Sequence, residues 1–83
     1  MYSKRFLLEV RLSHHTKLRM TERDISEEII IDLVETGTTK YKDEKHLWIY
    51  KAYTSRHDNL LCIAVVIDAV LVIKTVMHHF ELE

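Results

Sequence analysis

The chain has 83 residues, 47% of them hydrophobic and 30% charged, with a formal net charge of −1. That composition excludes a disordered chain, and the length leaves room for one small domain, residues 1–83. The near-neutral balance excludes a protein that grips nucleic acid by bulk positive charge, so any basic surface must come from an uneven spread of charge.

Cys62 is the single cysteine, which rules out an intramolecular disulfide and fits a reducing, cytoplasmic location. Its place inside an apolar run predicts a buried, inert thiol. The basic-then-apolar start, Met1 to Leu8, is too short for the apolar core of a signal peptide. The longest apolar stretch, Leu60 to Ile73, is broken by Asp68 and is shorter than the roughly 20 residues that span a bilayer. No membrane association is expected. One glycine and no proline predict short connections.

In chain order, Arg5 to Leu12 comes first. Phe6, Leu8, Val10 and Leu12 fall on one parity and Glu9 and Arg11 on the other, the period of a half-buried strand. Ser13 is placed to cap a helix over His14 to Arg23. Ser26 is placed to cap a second helix, with Glu27 and Glu28 in its first turn, where negative charge suits the helix dipole. Ile25 and Ile30 have the spacing of a hydrophobic staple, and Ile29, Ile30, Leu33 and Val34 form an apolar stripe. Gly37 follows the stripe, where a left-handed helix-ending residue is expected.

The remainder reads as sheet. Tyr41 to Lys45 is turn-like, His46 to Tyr53 is rich in aromatic and β-branched residues, and Ser55 to Asn59 is a polar connection. Leu60 to Ile67 and Val70 to Met77 are valine- and isoleucine-rich strands joined at Asp68-Ala69. The predicted class is α+β: a strand, a two-helix hairpin, then a three-stranded antiparallel meander with the helices on one face.

On the first helix, His15, Arg19 and Arg23 are four residues apart and form a stripe, with Thr16 and Met20 beside it. The stripe therefore borders the buried face. Two readings stand. In one, Arg19 and Arg23 pair with Glu27, Glu28, Asp32 or Glu35 and clamp the helical hairpin. In the other, the guanidinium groups bind phosphate and His15 transfers a proton.

Ser13, His15, Arg19, Met20, Arg23, Ile25 and Ser26 match the pattern S-x-H-A-x-x-R-M-x-x-R-G-I-S. The chain thereby resembles a bacterial family labelled a domain of unknown function, along most of its length. It departs at Thr16, in place of alanine, and at Asp24, in place of glycine. Aspartate tolerates left-handed backbone better than most residues. The element order is also similar to that of RelE/ParE- and BrnT-like toxins. The resemblance implies an RNA-binding domain or an endoribonuclease, the toxin half of a toxin–antitoxin pair, with RNA and an antitoxin-like protein as partners.

Metal-independent RNA cleavage needs a base for the 2′-hydroxyl, cations for the phosphate and an acid for the leaving oxygen. Lys40, Lys42, Lys45, Lys51, Arg56 and Lys74 are the available cations outside the first helix. Trp48, Tyr50 and Tyr53 are suited to base stacking, and His46, His57, His78 and His79 to proton transfer. The working residues of such toxins lie on the sheet and near the chain end. Lys51, Tyr53, Arg56, Lys74, His78 and His79 are therefore the first to test, beside His15, Arg19 and Arg23. For each, a solvated strand face or a core position is the alternative. The adjacent pairs His14-His15 and His78-His79 diverge on helix or strand, and no metal-ligand spacing is present, so no metal or other cofactor is expected. The opposing functional reading is a non-catalytic interaction module, such as a homodimer formed through the Leu60 to Met77 sheet.

Overall fold

The computed structural model describes residues 1–53 and 60–78. Its elements are β1 (Tyr2–Ser3), β2 (Leu8–Leu12), α1 (His14–Arg23), α2 (Glu27–Thr36), β3 (Thr38–Tyr41), β4 (His46–Ala52), β5 (Leu60–Ile67) and β6 (Leu71–His78). The class is α+β. The six strands form one sheet in the order β1-β2-β6-β5-β4-β3, with β2 parallel to β6 and every other pair antiparallel.

The expected meander is β4-β5-β6, and β5 keeps the bounds that its apolar run predicts. Two strands add to the expected count. β3 pairs with β4 across a tight turn, Thr38 opposite Tyr50 and Tyr41 opposite Leu47. β1 pairs with β2 at the other edge.

The strand expected over Arg5 to Leu12 is β2, and it begins at Leu8. Residues 4–7 turn instead, with Leu7 at φ 56°. Tertiary bonds outweigh the local alternation there. The Arg5 guanidinium donates to the carbonyls of Val34 (3.2 Å) and Gly37 (2.7 Å) at the end of α2, and its backbone N–H donates to Glu35 Oε2 (3.0 Å). Phe6 N–H donates to buried Ser3 Oγ (3.0 Å) and closes the turn.

Strand alternation and helix periodicity meet in one core. Ile30, Leu33 and Val34 of α2 pack with Leu47 and Ile49 of β4, Leu61, Ile63 and Val65 of β5, and Leu71, Ile73 and Val76 of β6. Met20 of α1, Ile25 and Val10 complete it, so both helices lie on the same face of the sheet. The staple residues Ile25 and Ile30 are both buried.

The helix ends follow capping chemistry. Ser13 and Ser26 accept from the N–H groups of Thr16 (3.1 Å) and Ile29 (3.2 Å). Asp24 ends α1 in the left-handed region, φ 54° and ψ 51°, the geometry its acceptance by an aspartate requires. Gly37 does not, and the expectation of a left-handed residue there is corrected: its φ is −69°. Glycine is needed for space. A Cβ at Gly37 would lie 2.5 Å from the Leu33 carbonyl and 2.6 Å from Ile49 Cγ2.

α1 rests on β6, and α2 on β4 and β1. Of the two readings of the stripe, the clamp to the acids of α2 is not formed by Arg19. Arg19 Nη1 meets Glu22 of its own helix at 3.4 Å. Asp32 is engaged by Lys51 and Tyr53, and Glu35 by Arg5.

One irregularity matters for the site. Ala64 pairs with Thr75 and Val65 with Ile73, which leaves Lys74 as an extra residue, a β-bulge in β6. The carbonyl of Lys74 accepts from Ser13 Oγ (3.0 Å), and that of Ile73 from Thr16 Oγ1 (2.8 Å) and Ser13 N–H (3.0 Å). The start of α1 is thus bonded to the bulge.

Candidate functional site

Leu47, Ile49, Leu61, Ile63 and Val65 point to the helices, so alternation turns His46, Trp48 and Tyr50 of β4 and Ala64 and Val66 of β5 to the opposite face. No helix among the described residues covers that face. It carries a cavity of about 250 Å³ lined by Lys42, His46, Trp48, Ala64, Val66 and Lys74. Small Ala64, directly opposite Trp48, leaves room above the sheet. Lys40 is the cross-strand neighbour of Trp48 on β3.

Each polar group in this cavity has a structural reason for its place. The bulge brings Lys74 out as an exposed side chain between two core residues, Ile73 and Val76. Lys42 N–H donates to the His46 carbonyl (2.8 Å) and ends the β3–β4 ladder. Asp43 Oδ1 accepts from the N–H groups of Lys45 and His46, both at 2.9 Å, and so fixes the turn. The same carboxylate lies 2.9 Å and 3.1 Å from His46 Nδ1. The His46 bond and the turn amides hold the Asp43 carboxyl well below its ordinary 3.8, at about 2.

The expected site residues fall into separate places. Lys74 lies in the cavity. Lys51 and Tyr53 do not. Lys51 Nζ donates to Asp32 Oδ2 (2.9 Å) and Thr36 Oγ1 (2.7 Å), and Tyr53 OH donates to the same Asp32 oxygen (2.6 Å). This network ties the end of β4 to α2. The Tyr53 and Lys51 bonds hold the Asp32 carboxyl below its usual range, while burial and the Asp32 charge push the Tyr53 hydroxyl up. A phenol held neutral against a carboxylate already in use is a poor proton acceptor.

His15 is exposed, and Arg19 and Arg23 are half-buried beside buried Thr16 and Met20. Arg19 Nε lies 3.5 Å from His15 Nε2. This stripe belongs to α1, across the sheet from the cavity. His78 ends β6 opposite Leu61. Arg56, His57 and His79 lie outside the described residues.

Cys62 is fully buried, and burial pushes its thiol up to about 12, so it is chemically quiet. Among the described residues, no three His, Cys, Asp or Glu side chains group to hold a metal ion. None of the described helices is long and apolar enough to cross a membrane. A larger cavity of about 470 Å³ lies between α1 and the start of α2, with Leu12, Met20 and Ile25 among its lining and Lys17, Asp24 and Glu27 at its polar side. Its charges are of both signs, and it contains no pair of groups suited to nucleophilic or acid–base work.

In the sequence His46 is one of four histidines suited to proton transfer, and Asp43 reads only as part of a turn. The signal that distinguishes them is the spacing Asp43-Glu44-Lys45-His46 at a strand start. An aspartate three residues before a histidine can close the turn and hold the imidazole with one carboxylate.

No curated protein and no solved structure matches this chain. A family profile does match, over residues 12–78, from the end of β2 through β6, so both the cavity and the capped α1 lie inside the matched region. The chain belongs to the family described as a domain of unknown function, DUF4258.

Proposed function

We propose that this chain is a toxin-like domain that binds single-stranded RNA on the helix-free face of its sheet. The observation that carries this reading is the cavity in which half-buried Trp48 sits among Lys42, Lys74 and His46. Single-stranded RNA is recognised by stacking on aromatic rings, with cations tracking the phosphates. A sheet platform with one indole and two flanking ammonium groups supplies both.

The slightly acidic net charge does not oppose this. α2 carries Glu27, Glu28, Asp32 and Glu35 and no lysine or arginine, so the rest of the chain is net basic. Those four acids lie across the sheet from the cavity.

Trp48 is the only tryptophan, so its fluorescence reports the site directly. A short unstructured oligoribonucleotide should quench it saturably. Affinity should fall with salt, with a log–log slope of about −1.4 for two neutralised phosphates, and Lys42→Ala or Lys74→Ala should each remove about half of that slope. Expression in bacteria without a partner should arrest growth. Unquenched fluorescence at low salt together with normal growth would overturn the reading.

A protein-interaction module is the second reading, and Leu7 favours it. This leucine is 73% exposed and held at φ 56°, a conformation costing roughly 1–2 kcal/mol that gains no burial within the chain. Under that reading the Leu7 turn docks on an antitoxin-like protein or a second copy. Loss of self-association or partner binding in Leu7→Ser, with RNA binding intact, would support it.

A further inference from the structure

Binding alone does not require the arrangement of His46. The Asp43 carboxylate is fixed by two backbone N–H groups at 2.9 Å, and it holds one imidazole nitrogen, Nδ1, at 2.9 Å. A carboxylate against Nδ1 sets the tautomer with the proton on that nitrogen and leaves the lone pair of Nε2 as the proton acceptor. This is a proton-transfer pair built into a turn, and it lines the cavity that holds Trp48, Lys42 and Lys74.

We infer that His46 is the general base of a metal-independent RNA cleavage in this cavity, with Asp43 as its positioning residue and a phosphodiester carrying a free 2′-hydroxyl as its substrate. The inference rests on the RNA-binding reading. A base stacked on Trp48 places its ribose and phosphate among His46, Lys42 and Lys74. His46 Nε2 takes the proton of the 2′-hydroxyl, and the 2′-oxygen forms a bond to the adjacent phosphorus. The bond from phosphorus to the 5′-oxygen breaks, and the leaving oxygen takes a proton from the Lys74 ammonium. Lys42 stays charged and offsets the charge on the phosphoryl oxygens. His46 returns its proton to solvent and Lys74 regains one, so no proton is gained or lost. The products are a 2′,3′-cyclic phosphate and a 5′-hydroxyl.

The test uses the full chain and two probes, an unstructured oligoribonucleotide of mixed sequence and its all-2′-deoxy counterpart. Binding is read from Trp48 fluorescence, and cleavage from the ends of the products. The parent should bind both probes and cut only the ribose one, leaving cyclic phosphate ends. His46→Ala and His46→Gln should each slow cleavage at saturating RNA by about 10²–10⁴-fold, with circular dichroism kept close to the parent. Asp43→Asn should lower kcat by about 10-fold with KM little changed, a split that a merely structural turn residue would not produce. Binding without cleavage, undiminished cleavage by both His46 variants, or 5′-phosphate products would overturn this inference and leave RNA binding standing. Absence of binding would overturn both.

Discussion

Two carboxylates, Asp32 and Asp43, each hold a side chain suited to proton transfer, and they do opposite things. Asp32 sits on a helix and reaches across to the sheet, where Lys51 and Tyr53 both spend their donors on it. Its contacts join distant parts of the chain, nineteen and twenty-one residues apart. Asp43 bonds only within its own turn and to His46, and joins nothing distant. One cluster therefore contributes to holding the fold, and the other orients a single ring. Charged groups gathered from separate elements are as easily a clamp as a site. The difference shows in whether an acceptor or donor is left aimed at open space.

The widest separation of these roles is between neighbours. Ile49 and Trp48 lie on opposite faces of β4, with Ile49 fully buried against the helices. Ile49→Ala should destabilise the fold by about 2–5 kcal/mol in denaturant titration, through lost transfer energy and the cavity left behind. Trp48→Ala should cost much less stability but weaken RNA binding by about 1–3 kcal/mol, measured by anisotropy of a labelled oligonucleotide. Equal losses of stability would mean that the helix-free face is also core, and the two-faced description of the sheet would fail.

Asp32→Ala comes next in size. Asp32 and Lys51 are each more than a third exposed, so solvent screens the pair, and about 1 kcal/mol is expected, a fall of about 4–8 °C in Tm. RNA affinity and cleavage should be unchanged. If Asp32→Ala reduced cleavage at constant stability, the clamp would be a site and the contrast with Asp43 would collapse.

Acid acts on the two carboxylates in the same direction. Both are held below their ordinary range in the folded chain, so the stability each contributes is fully present above pH 4 and is lost as pH falls through the folded value. For Asp43 that window runs from its ordinary 3.8 down to about 2. In Asp43→Asn the share of the acid-induced fall in Tm that lies in this window should disappear, while the share due to Asp32 remains. An unchanged pH profile would show that the Asp43 bonds do not distinguish folded from unfolded chain.

How far the sequence foretold this depends on whether the deciding contacts are local. The serine caps, the left-handed Asp24 and the bounds of α1 and β5 are set by neighbours in the chain, and periodicity or capping chemistry was enough to place them. The Arg5 turn was illegible because its partners, Val34 and Gly37, are about thirty residues away. Gly37 was assigned the right position and the wrong reason, since the close approach of Ile49 is a tertiary fact. Of the candidate site residues, Lys74 was named for its charge. The bulge that turns it into the cavity depends on register against β5 and was hidden. Lys51 and Tyr53 were named for chemistry they do possess, but strand parity alone did not reveal that Asp32 faces them.

The smallest effect concerns the residue that the sequence made most prominent. In one of its two sequence readings Arg19 clamps α1 to α2, and its removal would then lower the melting temperature markedly. Its acid partner is instead Glu22, 3.4 Å away on the same helix, with side chains 39% and 59% exposed. An i,i+3 pair of that kind contributes about 0.3–0.5 kcal/mol and is screened by salt. Arg19→Ala should therefore shift Tm by no more than about 4 °C, and by less in high salt. The comparison with Thr16 sharpens the point. Thr16 lies three residues earlier on the same helix, fully buried, and its hydroxyl donates to the Ile73 carbonyl at the bulge. Thr16→Val leaves that carbonyl with the Ser13 N–H as its donor and should cost about 0.5–1.5 kcal/mol. If Arg19→Ala proved the more damaging of the two, α1 would be anchored through its charged stripe. A smaller loss in Arg19→Ala than in Thr16→Val would place the anchor at the Ser13–Thr16 cap on β6, the strand whose bulge carries Lys74 into the cavity.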